Sequence, residues 1–141
     1  MTQRLGRVLG IDYGSRRIGI AISDPMRIVA LALEVVQNDD KIVERISALV
    51  RERGVETIVV GMPLTLRGEK GQKALEVEEF VGKLREKIQV EVVTYDERFT
   101  STIAQKTLRD LGVKRRKRRD KGAIDQMASA LILQSYLDSR S

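Results

Sequence analysis

Val8-Leu9-Gly10-Ile11-Asp12-Tyr13-Gly14-Ser15-Arg16-Arg17-Ile18-Gly19-Ile20-Ala21-Ile22-Ser23-Asp24-Pro25 is the stretch whose reading decides the fold. It holds two apolar runs, each of strand length, separated by Gly14-Ser15-Arg16. So short a connection joins antiparallel neighbours. Asp24-Pro25 turns the chain again, so residues 7 to 13, 17 to 23 and 28 to 36 are expected as successive strands. Outward from there the period changes. Asp39-Asp40 starts a helix with Ile42, Val43, Ile46, Leu49 and Val50 on one face and Gly54 as its stop. Thr57-Ile58-Val59-Val60-Gly61 is continuously apolar, the pattern of a strand covered on both faces. After a loop bearing Gly61, Pro63, Gly68 and Gly71, a second helix sets Ala74, Val77, Val81, Leu84 and Ile88 in register. A strand from Val90 runs to Glu97, a helix begins at Thr100 or Ser101 and stops at Gly112, and an apolar helix closes the chain. The order βββαβαβαα requires parallel pairing across the helical crossovers, right-handed by the usual rule. The expected architecture is α/β, one domain over residues 1–141, with a mixed five-stranded sheet flanked by helices.

Composition narrows the class. At 141 residues and 42% hydrophobic content the chain can bury one core. No run approaches the roughly 18 apolar residues of a membrane span, and Met1 to Arg7 lacks the apolar stretch of a signal peptide. Zero cysteines exclude disulfides and fit a cytoplasmic home. The charge is uneven. Lys114, Arg115, Arg116, Lys117, Arg118, Arg119 and Lys121, broken only by Asp120, carry the whole net charge of +6; the rest of the chain balances. A neutral body with one basic segment points to a polyanion, and a nucleic acid is the expected partner over a merely solvated loop.

Three acidic positions interrupt apolar segments: Asp12, the pair Asp96-Glu97, and Asp125. Each has a bland reading, as a turn residue, a solvated strand end or a helix N-cap. Together they resist it, because a carboxylate at an apolar border must be neutralised, hydrogen-bonded or metal-bound. With neither His nor Cys in the chain, the strong metal ligands left are carboxylate oxygens, which suit hard cations such as Mg²⁺ or Mn²⁺. Asp12, Gly61 and Asp96-Glu97 end strands expected to run parallel, and sites in such sheets lie beyond the strand carboxyl ends. Asp125 shares a helical stripe with Ala128, Ser129 and Ile132, which is expected to face the sheet. Asp96 and Glu97 project to opposite faces of a strand, so one of them, left open by spacing, belongs with Asp12. Arg98 is placed to contact a phosphate or to pair with Asp96. Tyr13, Tyr95 and Phe99 flank the acids, with core packing expected ahead of base stacking.

The order of elements resembles the ribonuclease H-like fold. More specifically, Ile11-Asp12-Tyr13-Gly14, Arg17-Ile18-Gly19-Ile20-Ala21-Ile22-Ser23-Asp24, Gly61-Met62-Pro63, Asp96-Glu97-Arg98-Phe99-Thr100-Ser101 and Asp125-Gln126-Met127-Ala128 resemble the YqgF (RuvX) family over essentially the whole chain. Ser101 and Ser129 depart from residues common there, without removing a reactive group. The resemblance implies a metal-dependent nuclease of phosphodiester bonds, with Asp12, Glu97 and Asp125 as catalytic metal ligands and Mg²⁺ or Mn²⁺ as cofactor. It favours Glu97 over Asp96 through the Asp-Glu-Arg motif. It implies 5′-end processing of pre-16S ribosomal RNA, with a Holliday junction resolvase acting on DNA as the alternative. A non-catalytic nucleic-acid-binding module is the non-enzyme rival, and an actin-like ATPase would need a second domain. The protein is expected to be a monomer or homodimer with no membrane association.

Overall fold

A computed structural model describes residues 6–65, 67–98 and 121–140, with the side chains of residues 121–126 outside that description. The helix expected before Gly112 and the basic segment up to Asp120 lie outside the described residues. The elements are β1 (Arg7–Tyr13), β2 (Arg17–Ser23), β3 (Ala30–Gln37), α1 (Ile42–Arg53), β4 (Val55–Met62), α2 (Gln72–Lys87), β5 (Glu91–Asp96) and α3 (Lys121–Ser139). The sheet order is β3-β2-β1-β4-β5. β2 pairs antiparallel with β1 and β3, while β4 runs parallel to both β1 and β5. This is the mixed five-stranded sheet expected from the sequence.

Side-chain alternation divides the core into two layers. Leu9, Ile11, Ile20, Ile58, Val60 and Val92 point to one face, where they pack with Ile46 of α1 and Val77, Val81 and Leu84 of α2. Val8, Ala21 and Val59 point to the other, against Ile132, Leu133, Tyr136 and Leu137 of α3. The continuous apolar run in β4 thus feeds both layers. α3 comes close because Gly10 has no side chain: a Cβ there would sit 2.7 Å from Leu133 Cβ and 3.2 Å from the Ser129 carbonyl oxygen. Ser129 itself is fully buried.

Several boundaries differ from the expected ones, β4 running Val55–Met62 and β5 Glu91–Asp96, and two of the differences have clear local reasons. β3 begins at Ala30 rather than residue 28, because the Asp24 carboxylate takes the Ile28 and Val29 amides at 2.7 and 2.8 Å. Those bonds hold its pKa below the ordinary value. α1 begins at Ile42, since Asp39 spends its side chain on the Lys41 amide at 3.0 Å and its carbonyl on the Ile42 amide at 3.2 Å. Gly54 ends α1 as expected, with φ 65°.

The close approach at Gly10 carries a prediction. Gly10→Ala should push α3 off the sheet and cost about 1–3 kcal/mol, the usual range for overpacking. Thermal or urea unfolding measures it, and wild-type stability in this variant would contradict the packing described.

Candidate active site

The carboxyl ends of β1, β4 and β5 meet at one end of the sheet. Register places Gly61 opposite Tyr95 and Met62 opposite Asp96, while Ile11 lies opposite Val60. Continuing the alternation, Asp12 falls on the α3 face with Val8 and Gly10, and Glu97 falls on the same face as Val93 and Tyr95. Asp96 falls on the opposite face. The Glu97 amide donates to the Met62 carbonyl at 3.2 Å, carrying the parallel ladder one residue past β5.

Gly61 is what admits the Glu97 side chain. A Cβ at that position would collide with Glu97 Oε2 and stand 2.8 Å from Ile132 Cδ1 of α3. The Glu97 carboxyl therefore lies over a bare backbone, between β4 and the last helix. Burial, followed by the neighbouring Asp12 charge and more weakly the Asp96 charge, pushes its pKa up to about 7, with Lys73 opposing. Two carboxyls with overlapping fields in a half-buried niche cannot both ionise freely. A proton relieves that, and so does a cation.

Asp96 is differently engaged. Arg98 donates from Nε at 2.7 Å and from its backbone amide at 3.0 Å to the two carboxylate oxygens. The guanidinium, with Nη2 also 2.7 Å from Oδ2, holds the carboxyl below its ordinary pKa. Of the two neighbouring acids, the structure brings Glu97 to Asp12 and gives Asp96 to Arg98. Asp125 lies on α3 one turn before Ser129, and its side chain lies outside the described residues, as do Lys114 to Arg119 and the Lys121 side chain. Among the described residues no group of three acids could hold a metal, so the described site consists of the Asp12–Glu97 pair.

An open cleft of about 1320 Å³ starts at Asp12 and passes between Arg16, Arg17 and Asn38 on one side and Lys73 and Glu76 of α2 on the other. Its turn is held by Asn38, which donates from its amide to the Arg16 carbonyl and from its side chain to the Gly14 carbonyl, both at 2.9 Å. The flanking aromatics are structural. Tyr13 packs on Phe80 with ring centres 4.9 Å apart, and Tyr95 meets Tyr136 edge-on at 6.1 Å. Phe99 lies outside the described residues. Sequence reasoning passed over Lys73 and the niche at Gly61. A glycine closing a strand was a usable signal for close approach, whereas a lysine in the first turn of a helix carries none.

A mixed sheet with acids at the ends of its first and last strands, and a helix laid across the same face, defines a ribonuclease H-like protein. Its family model, described as Holliday junction resolvase, matches residues 6–139: the chain belongs to the RuvX family. A Sulfurihydrogenibium protein named "Putative pre-16S rRNA nuclease" is 43% identical over 139 residues, covering 97% of this chain and 93% of the relative. An Acetivibrio thermocellus protein of the same name is 45% identical, covering 95% and 96%. Among solved structures, T. thermophilus RuvC in complex with a Holliday junction substrate matches with a TM-score of 0.61 at 21% identity, over 95% of this chain and 94% of that one. That likeness is one of fold.

The raised pKa fixes the sign of a pH effect. The folded chain holds the Glu97 proton up to about pH 7, whereas the unfolded chain releases it near 4.5. The folded state thus binds more protons between those values, and stability should fall as pH rises through that window. Thermal unfolding in chelator should show the fall, and Glu97→Gln should remove most of it. An equal slope in both proteins would contradict the raised pKa of Glu97.

Proposed function

We propose that this protein is a divalent-metal-dependent nuclease that hydrolyses phosphodiester bonds of RNA, in 5′-end processing of pre-16S ribosomal RNA in the cytoplasm. The observation that carries the reading is the Asp12–Glu97 pair, two carboxyls sharing one niche with Glu97 pushed up to about pKa 7. Such a pair fits a hard cation, since the donors are oxygens and a positive charge offsets the burial and the repulsion that now favour a proton. Asp12, Glu97 and Asp125 would hold Mg²⁺ or Mn²⁺. When bound, the metal supplies an activated water and stabilises the charge on the departing oxygen. The chain's own residues do the rest. Asp12 and Glu97 would keep that cation at the carboxyl ends of β1 and β5, where the phosphate is to react. Lys73, which already opposes the charge of Glu97, adds positive potential on the cleft side. Lys114, Arg115, Arg116, Lys117, Arg118, Arg119 and Lys121 contact the phosphate backbone and supply affinity without sequence information.

The ribosomal substrate rests on the names of relatives 43–45% identical to this chain. The description of the family model favours a second reading, a resolvase of four-way DNA junctions, which would act as a symmetric homodimer. Precursor RNA and a DNA junction, offered in parallel with Mn²⁺, distinguish them.

Asp12→Asn keeps the shape of the side chain and loses its charge. Cleavage should drop below detection while substrate affinity stays within a few-fold, because binding rests on the basic residues. Chelator should abolish wild-type cleavage in the same assay. Near-normal cleavage by Asp12→Asn, or full activity in excess chelator, would refute the metal reading, and nucleic-acid binding by wild type without any Mn²⁺-dependent cleavage would leave the nucleic-acid-binding module.

A further inference from the structure

We propose that Asp96 and Arg98 are positioning residues that together hold Glu97 over Gly61. The inference rests on the proposed hydrolysis and adds to it the device that aims one of its acids. Asp96 Oδ1 accepts the Arg98 amide at 3.0 Å, which closes a side-chain turn around residue 97. Oδ2 accepts Arg98 Nε at 2.7 Å, with Nη2 at the same distance, so the guanidinium grips that oxygen from two nitrogens. Glu97 is the middle residue of this closed turn. Its amide is fixed at the same time by the Met62 carbonyl. With the backbone held from both sides, the side chain of residue 97 is directed to the face opposite Asp96. There Gly61 leaves the space it fills.

The far end of Arg98 lies beside Gly68. A Cβ on Gly68 would stand 3.2 Å from Nη1, so the guanidinium lies against the hairpin that follows β4. That hairpin is closed by the Leu64–Lys70 bridge and by Thr65, whose amide donates to the Glu69 carbonyl at 2.9 Å and whose hydroxyl accepts the Glu69 amide at 3.1 Å. Arg98 thus lies between the end of β5 and the loop leaving β4, the two segments between which Glu97 stands. The pair is partly exposed, with side chains 28% and 36% accessible. An ion pair this exposed contributes little to global stability. Its arrangement matters through orientation, in the way that residues behind metal ligands fix the ligands themselves.

The test compares Asp96→Ala, Arg98→Ala and the double variant with wild type, in Mn²⁺-dependent cleavage and in the rise of unfolding temperature that Mn²⁺ produces. Each single variant should lose about 10–100-fold in kcat, the range typical of residues behind metal ligands. KM should stay within about twofold and the salt dependence of binding should not change. The double variant should be no worse than either single one, because the two act as a unit. Asp96→Asn, whose amide oxygen still accepts the Arg98 amide, should recover part of the loss. The Mn²⁺-induced rise should shrink in all the alanine variants while unfolding temperature without metal stays near wild type. Unchanged kcat and an unchanged Mn²⁺ effect in the alanine variants would overturn the clamp alone, and an inactive wild type would count against the nuclease reading. With wild type inactive, the Mn²⁺ effect still decides the clamp. A raised KM with a salt slope shallower by about 0.7 in Arg98→Ala would make Arg98 a phosphate contact instead. Additive losses would make Asp96 and Arg98 independent contributors.

Discussion

The burial of the Glu97 carboxyl beside the charge of Asp12 is the constraint on which the rest of this site depends. A carboxyl pushed up to about pKa 7 beside another acid is unfavourable in an isolated fold. The surrounding structure nonetheless enforces it. Parallel pairing of β1, β4 and β5 brings both strand ends to one edge, Gly61 removes the side chain that would separate the acid from the sheet, and Ile132 of α3 closes the niche. A proton or a cation relieves such a pair.

The same arrangement explains why neighbouring acids in the Asp-Glu-Arg run have opposite electrostatics. Asp96 is held below its ordinary pKa by Arg98, while burial and Asp12 lift Glu97 above it. One residue of strand register separates them, and in a sheet one residue is a change of face. Asp96 therefore remains ionised across the pH range in which Glu97 exchanges its proton.

Most of the sheet was legible in the sequence, because its signals are local. The Gly14-Ser15-Arg16 turn forces β1 and β2 to be antiparallel, the unbroken Thr57–Gly61 run announces a central strand, and Gly54 stops α1. The misplaced start of β3 had a cause that no period reveals, since the Asp24 side chain captures amides that a ladder would otherwise use. In the site, Asp12 and Glu97 were legible as acids at strand ends. Their choice over Asp96 was left open by spacing, because it depends on the phase of β5 past its last ladder residue and on the partner Asp96 finds. Lys73 was invisible for another reason: its relation to Glu97 is made by the packing of α2 on the sheet. Asp125 keeps its expected place on α3 one turn from buried Ser129, and its part in the site belongs to the proposal.

The most direct measurement of the central claim is a calorimetric titration of Mn²⁺ into wild type, Asp12→Asn and Glu97→Gln, without nucleic acid and near pH 8, where Glu97 is ionised. If the two acids hold the cation, wild type binds Mn²⁺ with release of heat or protons, and each variant weakens that binding by at least about tenfold. Equal Mn²⁺ affinity in all three proteins would contradict the account.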